Sequence, residues 1–304
     1  MIKTIIKQST VVALATAAVL AFSSASAHAK QTMCVFDMQG TSGEMFDLMR
    51  DYAVAAKRWG ADIQLRAYTN ERVATEDFKA GQCDAVFFTG IRGRQFNSFT
   101  GSIDAFGAVP SNATATAVMR LMARPQLAND MVQGNYEVAG VLSLGSAYLM
   151  LKDRRLDTLT KMSGKKIAVL EHDHSQFTIA QWHGMQPVQA DVHTFGGMFN
   201  NGQVDMIGAP AMAFKPMELH RGLGAYGGVV RFPLLHVSTN IIIDRTKFPA
   251  GFGQKSREWA ATQLPRVMDW VERMEEDIPE KTWIPMSAND YVGYMRLMRE
   301  GRVN

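Results

Sequence analysis

The chain has 304 residues, 47% of them hydrophobic, and its 32 basic residues against 29 acidic ones leave a formal net charge of +3. That apolar content is enough for one large core or two ordinary ones. So even a balance gives no electrostatic reason to propose nucleic acid or an acidic membrane as the partner.

Residues 1–29 read as an export signal. Lys3 and Lys7 supply a positive start, Val11 to Phe22 an apolar stretch, and Ala27-His28-Ala29 a small-x-small cleavage site. The apolar stretch is shorter than the roughly 20 residues a bilayer-spanning helix needs. Cys34, in Gln31-Thr32-Met33-Cys34, lacks the setting of a lipoprotein signal. The expectation is a soluble periplasmic protein that begins at Lys30, with its formal charge lowered from +3 to +1 by the loss of Lys3 and Lys7. Twenty methionines are many, and adaptable core filling is their plain role.

In chain order, an apolar strand from Cys34 to Met38 comes first, and Thr41-Ser42-Gly43 caps a helix over 44–58. Met45, Leu48, Met49, Tyr52 and Ala56 recur along that helix at three- and four-residue steps. A strand over 63–68, a helix over 74–80 ended by Gly81 and a buried strand over 85–88 follow, the alternation of an α/β lobe. Helices are expected over 115–122 and 126–132, then a strand over 137–144 leading into Gly145 to Met150. A second set has strands over 165–170, 191–194 and 206–209 and helices over 175–182 and 197–200. Strands over 229–232 and 237–243 come next, and helices over 254–274 and 288–299 return to the first lobe.

A short phrase occurs twice, each time ahead of an apolar strand: Phe78-Lys79-Ala80-Gly81-Gln82-Cys83-Asp84 and Phe199-Asn200-Asn201-Gly202-Gln203-Val204-Asp205. The chain therefore reads as two similar α/β lobes, each a mostly parallel sheet flanked by helices, forming a clamshell. The division expected is 30–146 plus 241–304 for the first lobe and 147–240 for the second, with crossings near Ser146 and Asn240. Cys34 and Cys83 lack metal-type spacing, and in an oxidising compartment two such thiols pair, here joining two adjacent parallel strands near their N-terminal ends.

The order of parts resembles the periplasmic solute-binding proteins of type II architecture, most closely the substrate-binding subunits of tripartite ATP-independent periplasmic transporters. The matching passages are Phe78-x-x-Gly81-Gln82-x-Asp84-Ala85-Val86-Phe87, Tyr136 to Gly145, Met162-Ser163-Gly164-Lys165-Lys166-Ile167, and Ser238 to Ile243 followed by Lys247-Phe248-Pro249. The resemblance implies a receptor that closes on a small polar metabolite, a carboxylate among the candidates, and hands it to an inner-membrane permease, without cofactor, metal or nucleic acid. One departure stands out: the family places an arginine directly after the Gly-Lys-Lys-Ile passage to grip a carboxylate, and here that position is Ala168.

Ligands of open α/β sheets lie beyond the carboxyl ends of the strands. That rule nominates Asp37, Thr41 and Ser42 in one loop, Thr89, Arg92 and Arg94 in another, Glu171, His172 and His174 in a third, and Pro210 in a fourth. Ser146, Tyr148, Thr239 and Asn240 floor the crossing between lobes, and Arg92 and Arg94 are the candidates to replace the missing arginine. As a metal site, Glu171-His172-Asp173-His174 is poor, since ligands so close in sequence cannot all turn inward. Gly222-Leu223-Gly224-Ala225-Tyr226-Gly227 fits the dinucleotide pattern in the wrong context, after a helix and before a strand, and reads as a turn. Two alternatives accompany the receptor: a periplasmic lyase or dehydratase using Glu171 or a nearby histidine as proton carrier, and an accessory protein of a drug-efflux system.

Overall fold

The computed structural model describes residues 30–303. The export segment, 1–29, lies outside the described residues. The first lobe opens with β1 (Gln31–Phe36), α1 (Glu44–Ala56), β2 (Ile63–Tyr68), α2 (Glu71–Lys79) and β3 (Ala85–Thr89). The short helices α3 (Gly90–Gly93) and α4 (Ser98–Gly101) and the longer α5 (Asn112–Met122) lead to the two-residue β4 (Val132–Gln133) and the long β5 (Tyr136–Leu151). The second lobe holds α6 (Leu159–Met162), β6 (Lys166–Leu170), α7 (His174–Trp182), β7 (Gln186–Ala190), α8 (Phe195–Asn200), β8 (Met206–Pro210) and α9 (Leu219–Leu223). The chain returns through β9 (Gly228–Asp244) and closes with α10 (Phe252–Glu276), β10 (Trp283–Ile284) and α11 (Ala288–Val303).

All ten strands share one sheet, ordered β2-β1-β3-β9-β5-β8-β6-β7, with β10 beside β9 and β4 beside β5. β1, β2 and β3 are parallel, as are β6, β7 and β8, so each lobe has its own parallel half. β5 and β9 run antiparallel to each other through both halves, from Tyr136 opposite Asp244 to Leu151 opposite Gly228. Near their middle the register shifts between Ser143 and Ser146. Gly145 sits at that bulge with φ +84°, and a Cβ there would lie 2.8 Å from Val271 of α10. Both constraints select glycine.

The repeated phrase has one physical meaning in both lobes. A helix ends on glycine in the left-handed region, Gly81 (φ +72°) or Gly202 (φ +74°). The aspartate that follows then ties the next strand to its neighbour. Asp84 donates its N–H to Thr32 O at 2.7 Å and accepts Thr32 N–H on its carboxylate at 2.8 Å. Asp205 does the same with Lys166, at 2.9 Å in both directions.

Several elements differ from their sequence expectation. Residues 126–132 form a 3-10 turn at Pro125–Leu127 and then β4, because Pro125 can start a helix but the Asn129-Asp130 pair that follows is turn chemistry. The edge strand of the second lobe is β7, ahead of the expected 191–194; its Pro187 is tolerated because an edge strand leaves one side of its backbone unpaired. The strands expected at 229–232 and 237–243 are one, since Pro233 falls where the β5 ladder is already irregular. Thr41 and Ser42 do not cap α1, whose N-cap residue is Gly43.

α10 docks on β5 through buried Arg257, which donates to Glu137 Oε1 at 2.7 Å and Val138 O at 2.9 Å. It also packs Trp259 against Tyr52 of α1, with ring centroids 5.2 Å apart. Its far end meets the second lobe, where Tyr148 Oη donates to Glu275 at 3.0 Å and Lys215 pairs with Asp277 at 2.6 Å. α10 thus spans both lobes. α11, expected on the first lobe, donates from Arg302 to Phe106 O there and also lies against α7 of the second.

Cys34 and Cys83 form a disulfide across adjacent β1 and β3, with Cα atoms 5.8 Å apart and 49 residues between them in sequence. A loop of that size restricts the unfolded chain by about 4 kcal/mol in the chain-entropy model. The paired change Cys34→Ala/Cys83→Ala should therefore lower the unfolding free energy by up to about that amount in denaturant titration. A thiol assay on the unreduced, unfolded native protein should find no reactive sulfhydryl.

Candidate functional site

A cavity of about 150 Å³ lies between the two half-sheets. Its first-lobe wall includes Phe36, Met38, Met45 and Leu144, and its second-lobe wall Ala168, Met185, Phe195 and Leu234. Four of the nominated residues reach it: Asp37, Thr89, Pro210 and Thr239. Two are committed to local structure. The Asp37 carboxylate accepts Gln39 N–H at 2.8 Å and Phe46 N–H at 3.1 Å, so it supplies the cap of α1 that Thr41 and Ser42 do not. Burial pushes the Asp37 carboxyl up from its ordinary value, and those backbone donors oppose the rise. Gly43 is required beside it, since a Cβ there would lie 2.0 Å from the carboxylate. Thr89 donates its N–H to Glu71 Oε1 at 2.7 Å, and its Oγ1 accepts Arg92 N–H at 3.3 Å. Thr239 Oγ1 is buried with no hydrogen-bond partner among the described residues.

The nominated charged residues meet at one edge of this cleft and face each other. Arg92 is 6% exposed, with Nε 3.4 Å from Glu71 and Nη2 3.8 Å from Asp191 of the second lobe. Arg94 reaches Asp173 across the cleft at 3.4 Å, and also donates to Gly101 O and Asp104 O. Arg72 joins them, 3.4 Å from Asp191 and 3.9 Å from Glu171. Three first-lobe arginines therefore meet three second-lobe carboxylates. Arg72, Asp173 and Asp191 were missed from sequence; the strand-end rule that nominated the other loops would have reached Asp191, had β7 been placed correctly.

Behind this row, Glu71 is wholly enclosed, and desolvation raises its carboxyl pKa against the pull of Thr89 and Arg92. Asp104 accepts both the N–H and the hydroxyl of Ser238, at 2.6 and 2.8 Å; burial still lifts it to about 6. His172 stands among Arg92, Arg94 and Asp191, and neither ring nitrogen has a hydrogen-bond partner among the described residues. Burial first, then the two arginines, hold it down at about 4.

The other nominated residues lie elsewhere. Thr41, Ser42 and His174 are exposed. Ser146 is buried opposite His236 in the β5–β9 crossing. Tyr148 turns away from the cavity, its ring edge-on to Trp283 at 5.0 Å. Asn240 is fully buried with its amide unpartnered among the described residues. It lies under α3, where a Cβ on Gly93 would be 2.6 Å away. Among the described residues no group of His, Cys, Asp and Glu is placed to hold a metal ion, and no helix is long and apolar enough to cross a membrane.

Comparison with known proteins agrees with this architecture. The family model described as solute-binding protein AdeT 1/2 matches residues 52–304. The chain is 48% identical over 269 residues, 88% of each chain, to the "Probable solute-binding protein AdeT1" of Acinetobacter baumannii. It superposes with a TM-score of 0.74 on a TRAP periplasmic solute-binding protein from Desulfovibrio salexigens with bound orotic acid, at 13% identity over 90% of each chain. A TRAP periplasmic solute-binding protein from Pseudomonas aeruginosa with bound L-malate gives a TM-score of 0.70 at 10% identity, covering 90% of this chain and 99% of the other. The fold is thus the two-lobed one of those receptors.

Two outcomes follow from the charged edge. Asp191→Asn leaves Arg72 and Arg92 facing a neutral amide and should weaken lobe closure by about 2 kcal/mol, seen as a larger radius of gyration in small-angle scattering. For His172 the closed-state pKa lies below its ordinary value, so the neutral form favours closure. That contribution is whole above about pH 6.5 and declines as pH falls toward about 4. The radius of gyration should rise as pH falls from about 6.5 toward about 4, less steeply in His172→Gln.

Proposed function

The chain belongs to the solute-binding protein AdeT 1/2 family, and from that premise we propose that it is exported to the periplasm, closes its two lobes on a small metabolite and presents the closed form to an inner-membrane permease. The observation that carries this reading is the cavity between half-sheets joined by β5 and β9, with ion pairs bridging its edge. Two walls on different lobes mean that a solute touches both only when they meet, so binding and closure are one equilibrium.

The proposed lobes are 30–146 with 241–304, and 147–240, except that α11 also leans on the second lobe. Among the nominated residues, Asp37, Thr89, Pro210 and Thr239 are proposed to contact solute, and Arg92, Arg94, Glu171 and His172 to govern closure. The role proposed is non-catalytic: of the proton carriers of the lyase or dehydratase alternative, Glu171 is exposed and faces Arg72, and neither it nor the nearby His172 and His174 lines the cavity. No observation on this fold favours the efflux-accessory alternative.

The test is native mass spectrometry of freshly purified protein, followed by small-angle scattering with and without solute. A bound small molecule, lost on unfolding, and a smaller radius of gyration when it is restored are expected. Protein that carries nothing, and does not compact with any metabolite of a broad thermal-shift screen, overturns the receptor reading.

A further inference from the structure

The chemistry of the cavity wall narrows the solute. The wall is apolar nearly throughout, with Phe36, Leu144, Leu149, Leu234, Leu235 and Val237 among its residues. Five methionines also line it: Met38, Met45, Met162, Met185 and Met212. Ala168, where the resembled family has its carboxylate-gripping arginine, is part of the same wall.

The polar groups that do reach the cavity are occupied. Asp37 caps α1. Thr89 Oγ1 accepts Arg92 N–H. Gln176 accepts Leu170 N–H at 3.0 Å and donates to Asp173 at 3.1 Å. The Tyr294 hydroxyl is directed at Asp157 O and Met162 Sδ. Thr239 Oγ1 remains, 2% exposed for its residue and unpartnered among the described residues. The arginines that sequence offered for a carboxylate are absent from the lining, and their guanidiniums face Glu71, Asp173 and Asp191.

An anion in this space would be desolvated against apolar side chains and the Asp37 carboxylate, with one hydroxyl in compensation, which is strongly unfavourable. An organic cation would meet one carboxylate, Asp37, whose oxygens already accept Gln39 N–H and Phe46 N–H, and would lose its hydration against a wall that is otherwise apolar. An uncharged, largely apolar molecule gains from burial over the whole wall. A dry apolar cavity of about this volume accommodates a single six-membered ring. Resting on the receptor reading above, we propose that the solute is a neutral, mainly apolar ring compound with a single hydrogen-bonding group directed at Thr239. Flexible methionines around it suit a set of related compounds better than one rigid shape.

The experiment is calorimetric titration of the full mature protein with four matched probes: benzyl alcohol, benzoate, benzylammonium and L-malate. Benzyl alcohol should bind at least about tenfold more tightly than the three charged probes. Equal or tighter binding of benzoate, benzylammonium or malate overturns this inference and leaves the receptor reading standing. Binding of none of the four at millimolar concentration also overturns it, and the receptor reading is then decided separately by the cargo found in native mass spectrometry. Ala168→Arg should reverse the order between benzyl alcohol and benzoate. Should that variant fail to fold, Met38→Gln, at a partly exposed position, should weaken benzyl alcohol about tenfold while leaving benzoate unchanged; an unchanged affinity for benzyl alcohol overturns the inference.

Discussion

The molecule depends on the pairing of β5 with β9. These two strands belong to both half-sheets at once and form the antiparallel ladder on which the lobes sit. A spine of two strands resists shear and stretching but yields to twist and bend where its hydrogen bonds are interrupted. Its register shifts at four places, and the one from Ser143 to Ser146 falls near the middle, with Gly145 in the left-handed region against Val271 of α10. Ser143 Oγ accepts Gly145 N–H at 3.0 Å and shares a hydrogen bond with His236 Nε2 at 2.9 Å, which pairs the freed amide without extending the sheet, while His236 Nδ1 is buried with no hydrogen-bond partner among the described residues. α10 braces the same place from outside, held by Arg257 at one end and by Tyr148 and Lys215 at the other.

On that spine the two lobes separate their chemistry. Charge lies along one edge of the cleft, where Arg72, Arg92 and Arg94 face Glu171, Asp173 and Asp191; the cavity wall is mostly hydrocarbon and thioether. A buried guanidinium needs carboxylate partners, and this chain supplies them itself. The arginines are therefore elements of lobe contact, and affinity for a solute falls to the apolar walls. The pattern is consistent with Ala168: a carboxylate grip removed from the wall is not rebuilt from Arg92 or Arg94.

Much of this was legible in the sequence because it is local. The phrases ending at Asp84 and Asp205 each encode a helix stop on glycine and a strand tie by aspartate, with every hydrogen bond formed within the lobe. Cys34 lies on β1 and Cys83 two residues ahead of β3, strands that such a unit makes neighbours, so their pairing followed from strand order. The misplaced strands share a cause. Pro187 and Pro233 sit where the sheet has no hydrogen bond to lose, a fact of position at an edge and at a bulge.

Sequence alone determined the class of fold, the duplication, the disulfide and the loops that approach the cleft, since periodicity, turn chemistry and strand order are properties of neighbouring residues. Tertiary structure decided what those loops do. Whether Arg92 meets a solute or Asp191 depends on a carboxylate 99 positions away brought to 3.8 Å. Whether Asp37 is a ligand or a helix cap depends on the orientation of α1. Whether a cleft is polar depends on which face of each strand looks inward, and no run of one-dimensional pattern specifies the facing of two lobes across empty space.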